Sequence, residues 1–242
     1  HRIRYELKDV YGNTSILSFM VQSSAKTDNQ PISPEKPDVT IMPYQTHNHF
    51  EQEDIKLDFP KNSFYDTVYF EYDKQEMNEE NFYSDLHKIH NIYTPVHKNF
   101  SLSIKTKDLP EVLKEKAFIA RIEENKYVYA GGKTVNGFIS TRVNEFGPYV
   151  VRVDNEKPTI TPLVKNPKKI SFKIQDEHSD IKSYNGFIDG KWALFEYDPK
   201  NDLLTYYIDT TRLSDVKMHK LELYISDELN NLATYHDTFS TD

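Results

Sequence analysis

Two stretches far apart in this chain read as the same β-hairpin, and that repeat constrains the fold more than any other feature. Ile3, Tyr5 and Leu7 alternate with polar residues up to Asp9-Val10-Tyr11-Gly12-Asn13, after which Leu17, Phe19 and Val21 alternate again. Leu221, Leu223 and Ile225 lead into Asp227-Glu228-Leu229-Asn230-Asn231, and Ala233, Tyr235 and Phe239 follow. Each turn places an Asp three and four positions ahead of a Gly-Asn or Asn-Asn pair. Such residues tolerate positive φ and bond their own backbone in tight turns. The expectation is a chain that opens with the terminal hairpin of a truncated upstream β-sandwich, residues 1–22, and closes with the terminal hairpin of another. A piece of a larger protein built in this way suits spacing or binding better than chemistry.

Composition narrows the classes. With 242 residues there is room for one or two domains, each able to bury a core. Aromatic residues at 13% favour strands, while a mean hydropathy of -0.72 and 28% charged residues require each strand to keep one wet face. A formal charge of -8 repels phosphate backbones and anionic lipid, so nucleic acid is not an expected partner. The sequence has no cysteine, which excludes a disulfide framework, a thiol nucleophile and a thiolate zinc site. No apolar run approaches the roughly 20 residues of a membrane span.

The chain punctuates itself. Residues 23–37 hold Pro31, Pro34 and Pro37 with almost no large apolar side chain and read as a stiff linker. Residues 38–153 then carry period-two segments at Ile55-Leu57-Phe59, Val68-Phe70-Tyr72, Phe100-Leu102-Ile104, Phe118-Ala120-Ile122 and Tyr149-Val151-Val153. Alternation of this kind predicts an antiparallel sandwich. One helical signal, Asp108 to Lys114, has Asp108 as N-cap and Pro110 in the first turn. A second boundary at Asp154-Asn155-Glu156-Lys157-Pro158 opens residues 154–242, where the strand segments, including Trp192 to Tyr197, predict a seven-strand immunoglobulin-like sandwich. The fold class expected is all-β, with tandem antiparallel β-sandwiches preceded by a remnant β-hairpin.

Few side chains suggest chemistry. His47 and His49 are two positions apart, project to one strand face and could share a zinc. A catalytic zinc takes three protein ligands, no His-x-x-x-Asp precedes the pair, and its flanks read as a loop, so it is a decoy and no metal is assigned. His87, His90 and His97 read as structural histidines at strand ends, and Tyr93-Thr94-Pro95 breaks any helix that would align the first two. Asp176, Glu177, Asp180 and Asp189 could gather in loops at one end of the last sandwich and hold calcium, although acids that bond their own turns are the plainer reading. Trp192 is the only tryptophan and the one candidate binding residue. Exposed, its indole would be a sugar-stacking platform. The apolar Leu194 two positions on favours instead a core anchor near Phe172, Leu194 and Leu223. No Gly-rich phosphate loop, nucleophile elbow or catalytic site is evident.

These segments resemble a known family. Asp154 to Ile160, Asp176 to Tyr184, Asp189-Gly190-Lys191-Trp192 and Glu196-Tyr197-Asp198 resemble the carboxy-terminal immunoglobulin-like module of bacterial lysostaphin-like (LytM-type) zinc endopeptidases. Phe59 to Tyr65 and Ile89 to His97 are similar to the region before that module, and Phe146 to Val151 is similar to sandwich domains of the ZU5 type. Ser179-Asp180-Ile181 departs from the usual Ser-Gly-Ile at its turn.

The resemblance implies a non-catalytic accessory region of a peptidoglycan-cleaving metalloendopeptidase. Zinc would sit in an upstream peptidase domain, and these residues would hold no cofactor. The implied partners are that catalytic domain and the peptidoglycan or an envelope protein. The implied location is the cell envelope, periplasmic or secreted. His47 to Glu51 superficially matches the family's later His-x-His, but it follows a completed sandwich hairpin, so the metal role is not carried over. The alternative is a carbohydrate-binding or adhesion module of an unrelated surface protein, resting on the aromatic content and Trp192.

Overall fold

The computed structural model describes residues 1–22, 39–78, 80–124, 126–214 and 216–241; the expected linker, 23–37, lies outside the described residues. The chain divides into two compact units, 1–37 and 38–242. In the first, Arg2–Lys8 pairs antiparallel with Thr14–Met20, setting Ile3 opposite Phe19 and Tyr5 opposite Leu17. The Asp9 carboxylate closes the turn. Its Oδ1 accepts from the Tyr11 and Asn13 amides at 2.9 and 2.8 Å, and its Oδ2 accepts from Asn13 Nδ2 at 2.7 Å. Gly12 supplies the positive φ, 87°, that this turn needs.

The second unit is nearly all antiparallel strand and contains two sandwiches. The first stacks two five-stranded sheets. One runs, in spatial order, Lys126–Tyr129, Ala117–Glu123, Gly147–Val153, Leu86–Ile89, Tyr72–Gln75. The other runs Lys133–Val135, Phe138–Val143, Phe100–Lys105, Ile55–Phe59, Asn48–Glu51. Between them lie Leu57, Phe59, Phe100, Leu102 and Ile104, all fully buried. The rings of Phe59 and Phe100 sit 4.6 Å apart by centroid, and Phe146 closes on both. The helical signal becomes a short 3-10 segment, Glu111–Lys116, with Pro110 at its N-cap position and no side-chain cap. Asp108 does not cap it, because its own φ of 51° turns the chain left-handed one residue before Leu109.

The second sandwich has two four-stranded sheets in an immunoglobulin-like arrangement. They run Thr159–Lys165, Lys169–Gln175, Leu203–Tyr207, Glu196–Asp198 and Lys191–Ala193, Ile181–Ile188, Met218–Asp227, Leu232–Ser240. That makes eight strands where seven were expected. The expected single strand from Trp192 to Tyr197 is broken, because the chain leaves one sheet after Ala193 and joins the other at Glu196. Phe195, at the crossing, is driven into the core with Phe172, Ile174, Leu204 and Leu223.

This break overturns the expected burial of Trp192. Register pairs Trp192 with Phe187 and Ala193 with Gly186. Gly186 and Ile188 are the buried, core-facing positions of their strand, so Phe187 and its partner Trp192 take the outer face. Trp192 is 60% exposed and Leu194 58%. The inference from their i, i+2 spacing required one continuous strand, and the strand ends between them. Phe195 is the anchor in place of the indole. Its ring occupies the space where any side chain on Gly186 would stand.

Gly186→Ala is therefore expected to destabilise the second sandwich by about 2 kcal/mol or more through overpacking against Phe195. Urea denaturation checks this, and a midpoint equal to that of the wild type would refute the assigned role of Phe195.

Candidate functional site

Two places in the second unit gather polar chemistry, at opposite ends of one strand. At the Asp227 end of Met218–Asp227, the terminal hairpin turn docks on the first sandwich. Leu229 is buried against Phe118, Ala120 and Val150, on the outer face of the sheet whose inner face carries Ile119, Tyr149 and Val151. Lys116 Nζ donates to the Leu229 carbonyl at 2.7 Å. Asp227 repeats the bonding of Asp9, its Oδ1 accepting from the Asn231 amide at 2.8 Å and its Oδ2 from Asn231 Nδ2 at 2.7 Å. Asn231 Nδ2 also donates to the Asp154 carbonyl at 3.1 Å.

Asp154, Asp176 and Asp227 bring one carboxylate oxygen each to within 4.8 Å of one another, and Asp154 and Asp227 are fully buried. Burial pushes the Asp154 carboxyl up, against hydrogen bonds from the Glu156 amide and the Ser179 hydroxyl at 3.0 and 2.9 Å. Asp176 Oδ1 accepts from the amides of His178 and Ser179. Oxygens so placed suit a hard divalent cation, and each carboxylate already accepts hydrogen bonds from its own turn or from Ser179. Of the four acids expected to gather, only Asp176 is here. The sequence reading missed Asp154 and Asp227 because they lie 73 residues apart and meet only through docking of the turn.

At the other end of the strand, a cavity of about 300 Å³ opens beside Trp192. Leu194, Tyr207 and Leu213 line it with Lys191, Glu196 and Arg212. Its floor is braced by Asp189, whose carboxylate accepts from the Lys220 amide at 2.9 Å and the Ser214 hydroxyl at 2.7 Å and contacts His219 Nδ1 at 2.8 Å. Burial opposes ionisation of Asp189, but the His219, Ser214 and Lys220 hydrogen bonds outweigh it and hold the carboxyl down at about 2. Asp209 caps the 3-10 turn Thr210–Arg212 through the Thr211 amide. The acid that sequence placed in a calcium loop is thus a brace for this cavity.

The histidines are dispersed. His47 and His49 do share a face, and both reach Asp58, His47 Nε2 at 2.5 Å and His49 Nδ1 at 4.0 Å. His49 also contacts Glu51 at 3.1 Å, and all these groups are exposed. His90 stacks on Phe70 and meets Thr94, and His97 contacts the Tyr65 hydroxyl. His87 is fully buried, with Nδ1 2.8 Å from the Tyr72 hydroxyl and no hydrogen-bond partner for Nε2. Burial pushes its imidazole down to about 4, against the pull of Asp54 and Asp85.

Comparison with known proteins bears on the first sandwich. Residues 39–154 match the Zu5-like domain family. A structural comparison finds similarity to the spore cortex lytic enzyme SleM of Clostridium perfringens at 13% identity and a TM-score of 0.26, covering 51% of this chain. The chain spans 38% of the length of that enzyme. No curated protein matches the sequence.

Leu229→Ala is expected to cost about 2 to 4 kcal/mol. It should also separate the two sandwiches into distinct calorimetric transitions, and one unchanged cooperative transition would contradict the docking role. His87 sets a second test. The unfolded chain takes up its proton near 6.5 and the folded chain only near 4. Stability should therefore fall as pH drops through that interval, by on the order of 3 kcal/mol. Comparing His87→Gln with the wild type across pH 7 to 4 measures it, and identical pH slopes would exclude His87 as the cause.

Proposed function

We propose that this chain is a non-catalytic accessory region of a peptidoglycan-cleaving zinc endopeptidase of the lysostaphin-like type, acting in the cell envelope as a periplasmic or secreted protein. In this reading, residues 1–22 end an upstream sandwich, the zinc belongs to an upstream peptidase domain, and the two sandwiches hold that domain at a set distance from the wall or from an envelope partner. The observation that carries the proposal is the docked turn. Leu229, Asn231 and Lys116 bind one sandwich to the face of the other with apolar burial and buried hydrogen bonds, as a spacer with fixed geometry needs and a flexible tether does not. The Zu5-like match and the resemblance of the last module support it. Among the described residues no helix is long and apolar enough to cross a membrane.

The 60% exposure of Trp192 favours a second reading, a carbohydrate-binding or adhesion module on an unrelated surface protein. The two readings differ in the parent and in whether the module serves a catalytic domain.

The test is incubation of the purified chain with isolated sacculi. It is expected to sediment with them and to release no muropeptides, with or without a chelator. Chelator-sensitive release would overturn the non-catalytic assignment. Coding sequence upstream of His1 that lacks a His-x-x-x-Asp followed by a Gly-rich His-x-His would overturn the parentage.

A further inference from the structure

The cavity beside Trp192 has the properties of a small-ligand site. At about 300 Å³ it falls at the lower end of the range for such sites. One wall is a broad exposed indole, and the Tyr207 ring, also 60% exposed, lines the same cavity. Asp189 tied to His219, Ser214 and Lys220, and Asp209 capping its turn, hold the remaining walls. Among the described residues, the Lys191 ammonium, the Glu196 carboxylate and the Tyr207 hydroxyl make no hydrogen bond or ion pair, so donors and acceptors remain for a ligand.

Charge selects the class. Lys191 and Arg212 face Asp189, Glu196 and Asp209 around the cavity, two positive groups against three negative. That balance gives no attraction to phosphate or to an acidic peptide. An uncharged ligand with an apolar face and a hydroxyl rim fits better. A pyranose in a β-1,4-linked chain has both, because its axial C–H bonds carry partial positive charge and complement the electron-rich indole face. Leu194, exposed beside the indole, offers an apolar seat for the methyl of an acetamido group.

Place supports this. The strand Met218–Asp227 carries the cavity brace at Lys220 and the docked turn at Asp227, separated by roughly 20 Å of extended chain. The cavity thus opens at the pole of the second sandwich remote from the junction.

We infer that the Trp192 cavity binds a β-1,4-linked N-acetylhexosamine chain, with the indole stacking on one sugar ring and Tyr207, Glu196 and Lys191 meeting its hydroxyls. The inference rests on the wall reading only for the source of the sugar. Trp192 is the sole tryptophan, so its emission reports the site directly.

Chitotetraose titrated into the whole chain is expected to change that emission saturably, whereas cellotetraose binds at least tenfold more weakly. By calorimetry, Trp192→Ala and Tyr207→Ala should each lower chitotetraose affinity at least tenfold while leaving the melting temperature near that of the wild type. Unchanged emission, equal affinity for cellotetraose, or full affinity in Trp192→Ala would overturn the assignment, as would binding of a peptidoglycan stem peptide in place of the sugar. Glycan strands stripped of peptide separate the two proposals. Binding of chitotetraose without binding of those strands keeps the cavity assignment and removes the wall as the source of its sugar. Sedimentation with sacculi unaffected by Trp192→Ala, with no chitotetraose binding, removes the cavity assignment and leaves the wall reading standing.

Discussion

The second unit depends on one contact, the insertion of Leu229 into the outer face of the first sandwich. Ala117–Glu123 and Gly147–Val153 would each leave an apolar face only partly covered if the sandwich stood alone, because Phe118, Ala120 and Val150 point away from its core. Leu229 covers that face together with Phe82, Ile122 and Tyr129 of the first sandwich. Burying such a side chain is worth about 2 kcal/mol, and the neighbouring hydrogen bonds from Lys116 and Asn231 add direction, which apolar burial lacks. Asp227 is the hinge of the arrangement, since the carboxylate that shapes the turn also presents Leu229 at its tip. The trio of carboxylates follows from the same docking, which draws Asp227 toward the segment that joins the sandwiches.

A second constraint operates inside the last sandwich. The chain from Lys191 to Asp198 must pass from one sheet to the other, and a residue at such a crossing lies over the core with no strand neighbour to shield it. Phe195 fills that position, and Gly186 across from it has no side chain to compete. With the core already filled, Trp192 has no room inward and its register turns it out. The exposed indole is thus a consequence of packing elsewhere, and it is kept in water at the edge of a braced cavity.

Much of this was legible in the sequence. The repeated turn was the clearest signal, and its two copies share the same Asp to Asn hydrogen bonds. The alternating segments marked the strands, since half-buried strands show their period directly. The period-two segment Phe118-Ala120-Ile122 marked a strand without fixing its inner face, and it is Ala117 and Ile119 that face the core between the sheets. The run Ala117-Phe118-Ile119-Ala120 and the run Tyr149-Val150-Val151 are continuously apolar, the mark of strands buried on both faces. Read that way, they would have announced a partner on the outer side. Trp192 was misplaced because parity along a strand says nothing once the strand ends, and the acidic trio was missed because its members meet only through tertiary docking.

The placement of the two polar sites ties the fold to its proposed use. A pocket can set the position of a neighbouring sandwich only if the linkage between them is stiff; through a slack tether, binding merely raises local concentration. Here the brace of the distal cavity and the start of the docked turn are joined by one continuous ten-residue strand, Met218–Asp227, paired with Leu232–Ser240 over Met218–Ser226 and with Ile181–Ile188 over Leu221–Asp227. Force or geometry applied at Lys220 reaches Asp227 through a hydrogen-bonded ladder and passes into the first sandwich through Leu229 and the Asn231 to Asp154 bond. Weakening the Leu229 contact should therefore leave ligand binding at the cavity intact and remove its effect on the position of the first sandwich.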